Sequence, residues 1–132
     1  MNLVEKTLFL KENPLFEDLD VELILPIANK AEVIYVKQNQ PLFHPKEVAS
    51  RLYFVVKGTV ETQNEIKQVL RSVQSGEFFG VQDLFTDALR STFAIAKEKG
   101  VLLSLSKSYL FTILSEIPSV AICLLKLQSK GI

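Results

Sequence analysis

The sequence predicts a mainly β domain, a barrel or jelly roll with helices at both ends, and two observations carry that expectation. Between Glu32 and Leu105 the apolar and β-branched residues fall into short runs with a period near two, separated by turn residues. Before and after this stretch the apolar spacing becomes helical. Many short strands broken by turns favour closed or double-sheet β architectures, in which few sheet edges are left open.

The elements follow in order. From Leu3 to Lys30, Leu8, Leu15, Phe16, Leu19, Leu23, Ile24 and Ile27 recur at helical spacing, interrupted at Asn13-Pro14. This predicts two short helices joined by a turn, with Asp18 or Asp20 capping the second. Val33–Val36, Pro41–Phe43 and Leu52–Val56 are rich in β-branched and aromatic residues and predict strands. Glu65–Ser72 and Ser91–Ala96 continue the series, and Lys99-Gly100 turns the chain into a last strand, Val101–Leu105. Phe54, Val56, Val60, Phe78, Leu84, Phe93, Ile95, Leu103 and Leu105 are the expected core. A serine before the run at Tyr109-Leu110 can cap a helix over Lys107–Glu116, and Pro118 separates it from a second over Ser119–Gln128. That last helix carries Val120, Ala121, Ile122, Cys123, Leu124, Leu125 and Leu127 around most of its circumference. It is therefore expected to be buried or to pair with a second copy as a homodimer.

The densest functional signal is Gly76–Ala96, GEFFGVQDLFTDALRSTFAIA. Gly80 lets the backbone approach a ligand, and the residues after it can form one or two helical turns whose N–H groups face an anion. Arg90 supplies a permanently charged fork that can bond two phosphate oxygens at once. Ser91 adds a hydroxyl.

The order of these parts resembles the cyclic nucleotide-binding domain found in catabolite activator proteins, protein kinase regulatory subunits and gated channels. The residues that carry the resemblance are Arg51–Glu61, RLYFVVKGTVE, then Gly76–Gly80, GEFFG, then a short helix and Arg90-Ser91, and it extends over nearly the whole chain. The resemblance implies an antiparallel β jelly roll, a double-stranded β-helix, flanked by N- and C-terminal helices. It implies one domain over residues 1–132, with a helical segment at 1–30, a β-roll at 31–105 and C-terminal helices at 106–132. It also implies a phosphate cassette of Gly80, Val81, Gln82, Asp83, Arg90, Ser91 and Thr92, and a ligand such as cAMP, cGMP or a related phosphorylated molecule.

The cassette departs from the family pattern in two places. The residue after Gly80 is normally a glutamate that accepts from the ribose 2′-hydroxyl, and here it is Val81. A small residue normally follows two positions later, and here Asp83 brings a negative charge toward the phosphate. The cassette is thus expected to be degenerate and to hold a cyclic nucleotide weakly, or to have given up the ligand and left a protein-interaction or dimerisation module. The family also places glycines where this sequence has Asn39-Gln40 and Lys46-Glu47, with Pro41 and Pro45 as stiffeners. In the family the helix after the roll extends further to cap the base, so here the lid is expected to be short, supplied by a partner, or absent.

Composition narrows the alternatives. The 132 residues are 48% hydrophobic, enough for one core, and fifteen basic residues balance fifteen acidic ones, so the long-range field of a nucleic-acid binder is missing. No helix-turn-helix pattern follows the roll, so direct nucleic-acid binding is not expected. No apolar run reaches the roughly 20 residues of a transmembrane helix, and the N-terminus lacks a secretory pattern. With one cysteine, Cys123, the expected setting is cytoplasmic, with an effector protein whose nature the sequence does not give. A single histidine, His44, leaves neither a metal cluster nor a catalytic triad, so no enzyme, metal or cofactor is expected. Tyr35, Tyr53 and Tyr109 are expected in core or interface packing.

Overall fold

Asn2 starts the first helix with a capping box: its side chain accepts from the Glu5 N–H at 2.8 Å, and the Glu5 carboxylate accepts from the Asn2 N–H at 3.1 Å. Two otherwise unpaired donors are satisfied in this way. The computed structural model describes residues 1–130. Gly131 and Ile132, the end of the predicted C-terminal helical segment, lie outside the described residues.

The chain forms two packed units, residues 1–31 with 108–132, and residues 32–107. The first unit is helical, with α1 (Leu3–Glu12), α2 (Val21–Lys30), α3 (Lys107–Glu116, which begins at the last residue of the other unit) and α4 (Pro118–Ser129). Lys11 Nζ donates to the carbonyls of Glu17 and Leu19, which holds the loop between α1 and α2. Asp20 is at the N-cap of α2, as one of the two expected candidates, yet its side chain makes no capping bond. Pro118 stands in the first turn of α4, where a missing N–H costs nothing. Val120 and Leu124 of α4 are buried, and Ile122 and Leu125 are exposed, so the helix has one covered and one open apolar side.

The second unit holds eight antiparallel strands: β1 (Glu32–Val36), β2 (Pro41–Phe43), β3 (Arg51–Lys57), β4 (Val60–Gln63), β5 (Val69–Val73), β6 (Phe78–Phe79), β7 (Phe93–Ala96) and β8 (Gly100–Ser106). They form two four-stranded sheets, in the orders β1-β8-β3-β6 and β2-β7-β4-β5. Successive strands alternate between sheets over most of the chain, and this is the expected jelly roll. Val36, Val55, Phe79 and Leu102 from the first sheet and Phe43, Val60, Val73, Ala94 and Ala96 from the second make one core cluster.

Four details differ from the sequence expectation. The predicted strand Glu65–Ser72 starts only at Val69, because the Asn64 carboxamide accepts from the N–H groups of Ile66 and Gln68 and folds Glu65–Gln68 into a turn, with Lys67 at φ 63°. In β7 the small residues Ala94 and Ala96 are buried while Phe93 and Ile95 are half-buried, because pairing with Val60 and Thr62 fixes which face turns inward. Val56 is likewise only half-buried, whereas Phe54, Val60, Phe78, Leu84, Leu103 and Leu105 are core residues as expected. Tyr35 is 68% exposed and is not a core residue. Asn39 and Lys46, in the turns that lack the family's glycines, take left-handed backbone at φ 65° and 74°.

Candidate functional site: the cassette after β6

Two left-handed glycines frame the approach to the cassette. Gly76, at φ 89°, donates its N–H to the Val55 carbonyl at 2.8 Å and turns the chain into β6, where Phe78 and Phe79 pair with Phe54 and Tyr53. Gly80, at φ 84°, then bends the chain off the sheet. A Cβ at Gly80 would sit 3.3 Å from Arg90 Nη1, so the glycine is needed both for its backbone and for the space it leaves the arginine.

The helical stretch predicted after Gly80 is a single 3-10 turn, Gln82–Leu84. Leu84 N–H donates to the Val81 carbonyl and Phe85 N–H to that of Gln82, so the N–H groups of Val81, Gln82 and Asp83 are not used by the turn. Val81, at 3% exposure, and Leu84 anchor it in the core, Gln82 is exposed and Asp83 is half-buried. Ser91 is exposed and Thr92 half-buried. The cassette residues named from the sequence therefore do lie along one turn and the segment that returns to it.

Arg90 is held from both ends. Its N–H donates to the Glu47 carbonyl at 2.7 Å and its own carbonyl accepts from the Lys46 N–H at 2.8 Å. At 4% exposure it directs Nη1 to the Gly80 carbonyl at 2.7 Å and Nη2 to the Arg51 carbonyl at 2.6 Å. Its guanidinium carbon lies 4.0 Å from the centre of the Phe43 ring, in cation–π range. Asp83 Oδ2 is 3.9 Å from Nη1, an ion pair at long range, and Ser91 Oγ is 3.5 Å from Asp83 Oδ1. Burial lowers the Arg90 pKa, while Tyr53, Asp83 and Glu47 act in the opposite direction. Burial raises the pKa of the Tyr53 phenol, partly countered by Arg90 and Arg51.

Several neighbours of this arginine were not visible in the sequence. Phe43, Tyr53 and Phe79 form an aromatic group in which Tyr53 and Phe79 stack with centroids 5.1 Å apart. Arg51 binds Ser104 Oγ through Nε at 2.8 Å and pairs with Glu32 at 3.2 Å. These contacts join residues far apart in the chain, so no local spacing announces them. His44 sits on an exposed loop against Glu47 at 2.7 Å. Among the described residues no group of three or more His, Cys, Asp or Glu side chains could hold a metal ion.

The model of the family described as "Cyclic nucleotide-binding domain" matches residues 33–116. The chain belongs to the cyclic nucleotide-binding domain family. The human cGMP-dependent protein kinase 2 is 28% identical over 98 residues, a match that takes in 70% of this chain and 13% of the kinase. The chain thus spans about an eighth of the curated relatives it matches. Among solved structures, the catabolite activator protein of Thermus thermophilus superposes with a TM-score of 0.81 at 26% identity, over 90% of this chain and 58% of that one. The sensor domain of the transcriptional regulator DNR from Pseudomonas aeruginosa gives 0.84 at 19% identity, over 96% and 92% of the two chains, and shows the fold alone. Among the described residues of this chain no single helix is long and apolar enough to cross a membrane; α3 and α4 together reach that length and composition but are bent by 113°.

Proposed function

We propose that this chain is a regulatory, non-catalytic module that holds cAMP, cGMP or a related phosphorylated ligand weakly, through Gly80, Arg90 and Ser91. The observation that carries this reading is the state of Arg90. Two of its donors bind the carbonyls of Gly80 and Arg51, and Asp83 stands beside it. A phosphate arriving here meets an arginine already engaged and a carboxylate of its own sign. Two like charges at about 4 Å oppose each other by about 1 kcal/mol in water and several times that in a partly dry site. Val81 gives a ribose hydroxyl no acceptor. The chemistry of the cassette therefore supports weak binding.

Calorimetric titration of the purified chain with cAMP and cGMP tests the proposal. Weak, saturable heats that strengthen in Asp83→Ala are the expected result, and submicromolar binding by the unmodified chain would overturn it.

A second reading, that the domain works as an interaction or dimerisation module without nucleotide, is favoured by one observation. Ile122 and Leu125 stand on the open side of α4, with Leu125 71% exposed. A second copy of the same helix is the simplest partner for such a face.

A further inference from the structure

The segment that carries Arg90 is fastened along its backbone by one short turn. Arg90 donates its N–H to the Glu47 carbonyl at 2.7 Å, Lys46 donates to the Arg90 carbonyl at 2.8 Å, and Val48 forms an antiparallel bridge with Leu89. The turn closes with the Glu47 N–H on the His44 carbonyl at 3.3 Å and places Lys46 in left-handed backbone, φ 74°. A lysine is kept in that region only by the contacts around it.

The His44 ring supplies two of those contacts. Nε2 lies 2.7 Å from Glu47 Oε1, and Nδ1 lies 3.1 Å from the Pro45 carbonyl oxygen. A carbonyl only accepts, and so does an ionised carboxylate, so both ring nitrogens must donate at once. Only the imidazolium can do this. A neutral ring has one N–H and gives up one of the two contacts. An imidazole ordinarily changes charge between about pH 5 and 8, a range in which carboxylates and ammonium groups keep theirs. The other charged and titratable groups about the turn are Glu47 and Lys46 on it, Arg90 and Tyr53 within electrostatic reach of Glu47, and Asp83 beside Arg90. Burial raises the Tyr53 pKa, so the phenol stays neutral, and the guanidinium does not lose its charge.

We propose that His44 and Glu47 form a proton-operated clasp on the cassette: the imidazolium closes the turn and so holds the backbone of Arg90, and loss of its proton loosens that hold. The hold is complete while the ring is charged and the carboxylate ionised. It fades as the pH rises through the titration of the ring, and again in acid as the carboxylate takes up a proton. Both side chains are partly open to water, so the effect is graded. The clasp acts on the protein's own backbone and stands or falls independently of the ligand reading.

The test follows amide hydrogen exchange in the full chain by NMR at about pH 5.5 and about pH 8, each rate divided by the intrinsic rate at that pH. The Arg90 and Lys46 amides are expected to lose about two- to fivefold in protection at the higher pH, the size of effect an exposed ion pair supports. In His44→Gln their protection should be low at both values. In Glu47→Gln the carboxamide can donate to a neutral Nε2 while Nδ1 keeps the Pro45 carbonyl, so protection should no longer fall with pH. The amide spectrum of each variant checks that the fold is kept. Wild-type protection that does not change between the two pH values, or a fall that persists undiminished in either variant, would overturn the inference.

Discussion

Arg90 Nη1 donates to the carbonyl of Gly80, ten residues earlier, at 2.7 Å, while Nη2 reaches the carbonyl of Arg51 on β3 at 2.6 Å. One side chain thereby closes the cassette onto the first sheet and, through Phe43, rests on the second. Removing it should disturb folding before it disturbs binding. Arg90→Met keeps an apolar stem against Phe43 but leaves both carbonyls unsatisfied, and is expected to cost about 2–4 kcal/mol. Arg90→Lys should cost less, since an ammonium can still reach one of the two. Urea unfolding of the three proteins checks the order; equal midpoints would show that the fork contributes nothing to the fold.

Asp83→Ala should raise cAMP affinity by about tenfold, because it removes the like charge beside the phosphate position. Val81→Glu adds an acceptor for the ribose, but at a position 3% exposed. It should therefore lower the stability of the unliganded protein, by roughly 1–3 kcal/mol, while improving binding. The double variant is expected to bind tightest. Calorimetry and denaturation run on the same samples separate the two effects, and a double variant that folds without any gain in affinity would contradict the account of the cassette.

Gly100 and Gly76 should respond differently to the same change. A Cβ at Gly100 would collide with the Lys57 carbonyl oxygen and come within 3.2 Å of Gly58 Cα, where β3 and β8 slip register. At Gly76 a Cβ meets nothing within 4 Å, but the backbone is at φ 89°. Gly76→Ala is thus expected to cost about 1–2 kcal/mol from backbone strain alone, and Gly100→Ala clearly more, through displacement of the strand pair. Thermal unfolding of both variants measures the difference.

Lys107 Nζ bonds Asp87 Oδ1 at 2.8 Å, and this hydrogen bond, helped by the charge of the ammonium, lowers the Asp87 pKa. The folded value is depressed, so the favourable contribution is complete above the unfolded value and fades as the pH falls through the folded one. NMR titration of the Asp87 carboxyl carbon should place its midpoint below the ordinary aspartate value. Lys107→Met should move that midpoint upward, and an unchanged midpoint would argue that the pair does not persist in solution.

If α4 joins two copies, Leu125→Glu should turn a concentration-dependent sedimentation profile into a monomeric one while leaving the unfolding midpoint nearly unchanged, because Leu125 is exposed. A wild-type protein that sediments as a monomer at high concentration would remove the homodimer.

The strands were legible where β-branched runs alternate, as in Arg51–Lys57, and the last two helices were legible because Pro118 can only begin a helix or break one. The alternation in β7 shows that one face is buried but not which one; Phe93 and Ile95 were expected inside, whereas the face is set by pairing with β4, information that exists only in the folded sheet. Gly80 and Arg90 could be found from their spacing. What Arg90 does could not, since Arg51 and Phe43 lie 39 and 47 positions away and meet it only after the sheets form.

The double attachment of Arg90 bears on how such chains diverge. A side chain required for assembly is retained by selection for folding whether or not a ligand is ever bound. In descendants of such a domain the arginine can persist through many substitutions around it. Its presence in a sequence then testifies to the architecture, and whether a nucleotide is held has to be asked of the residues at positions 81 and 83.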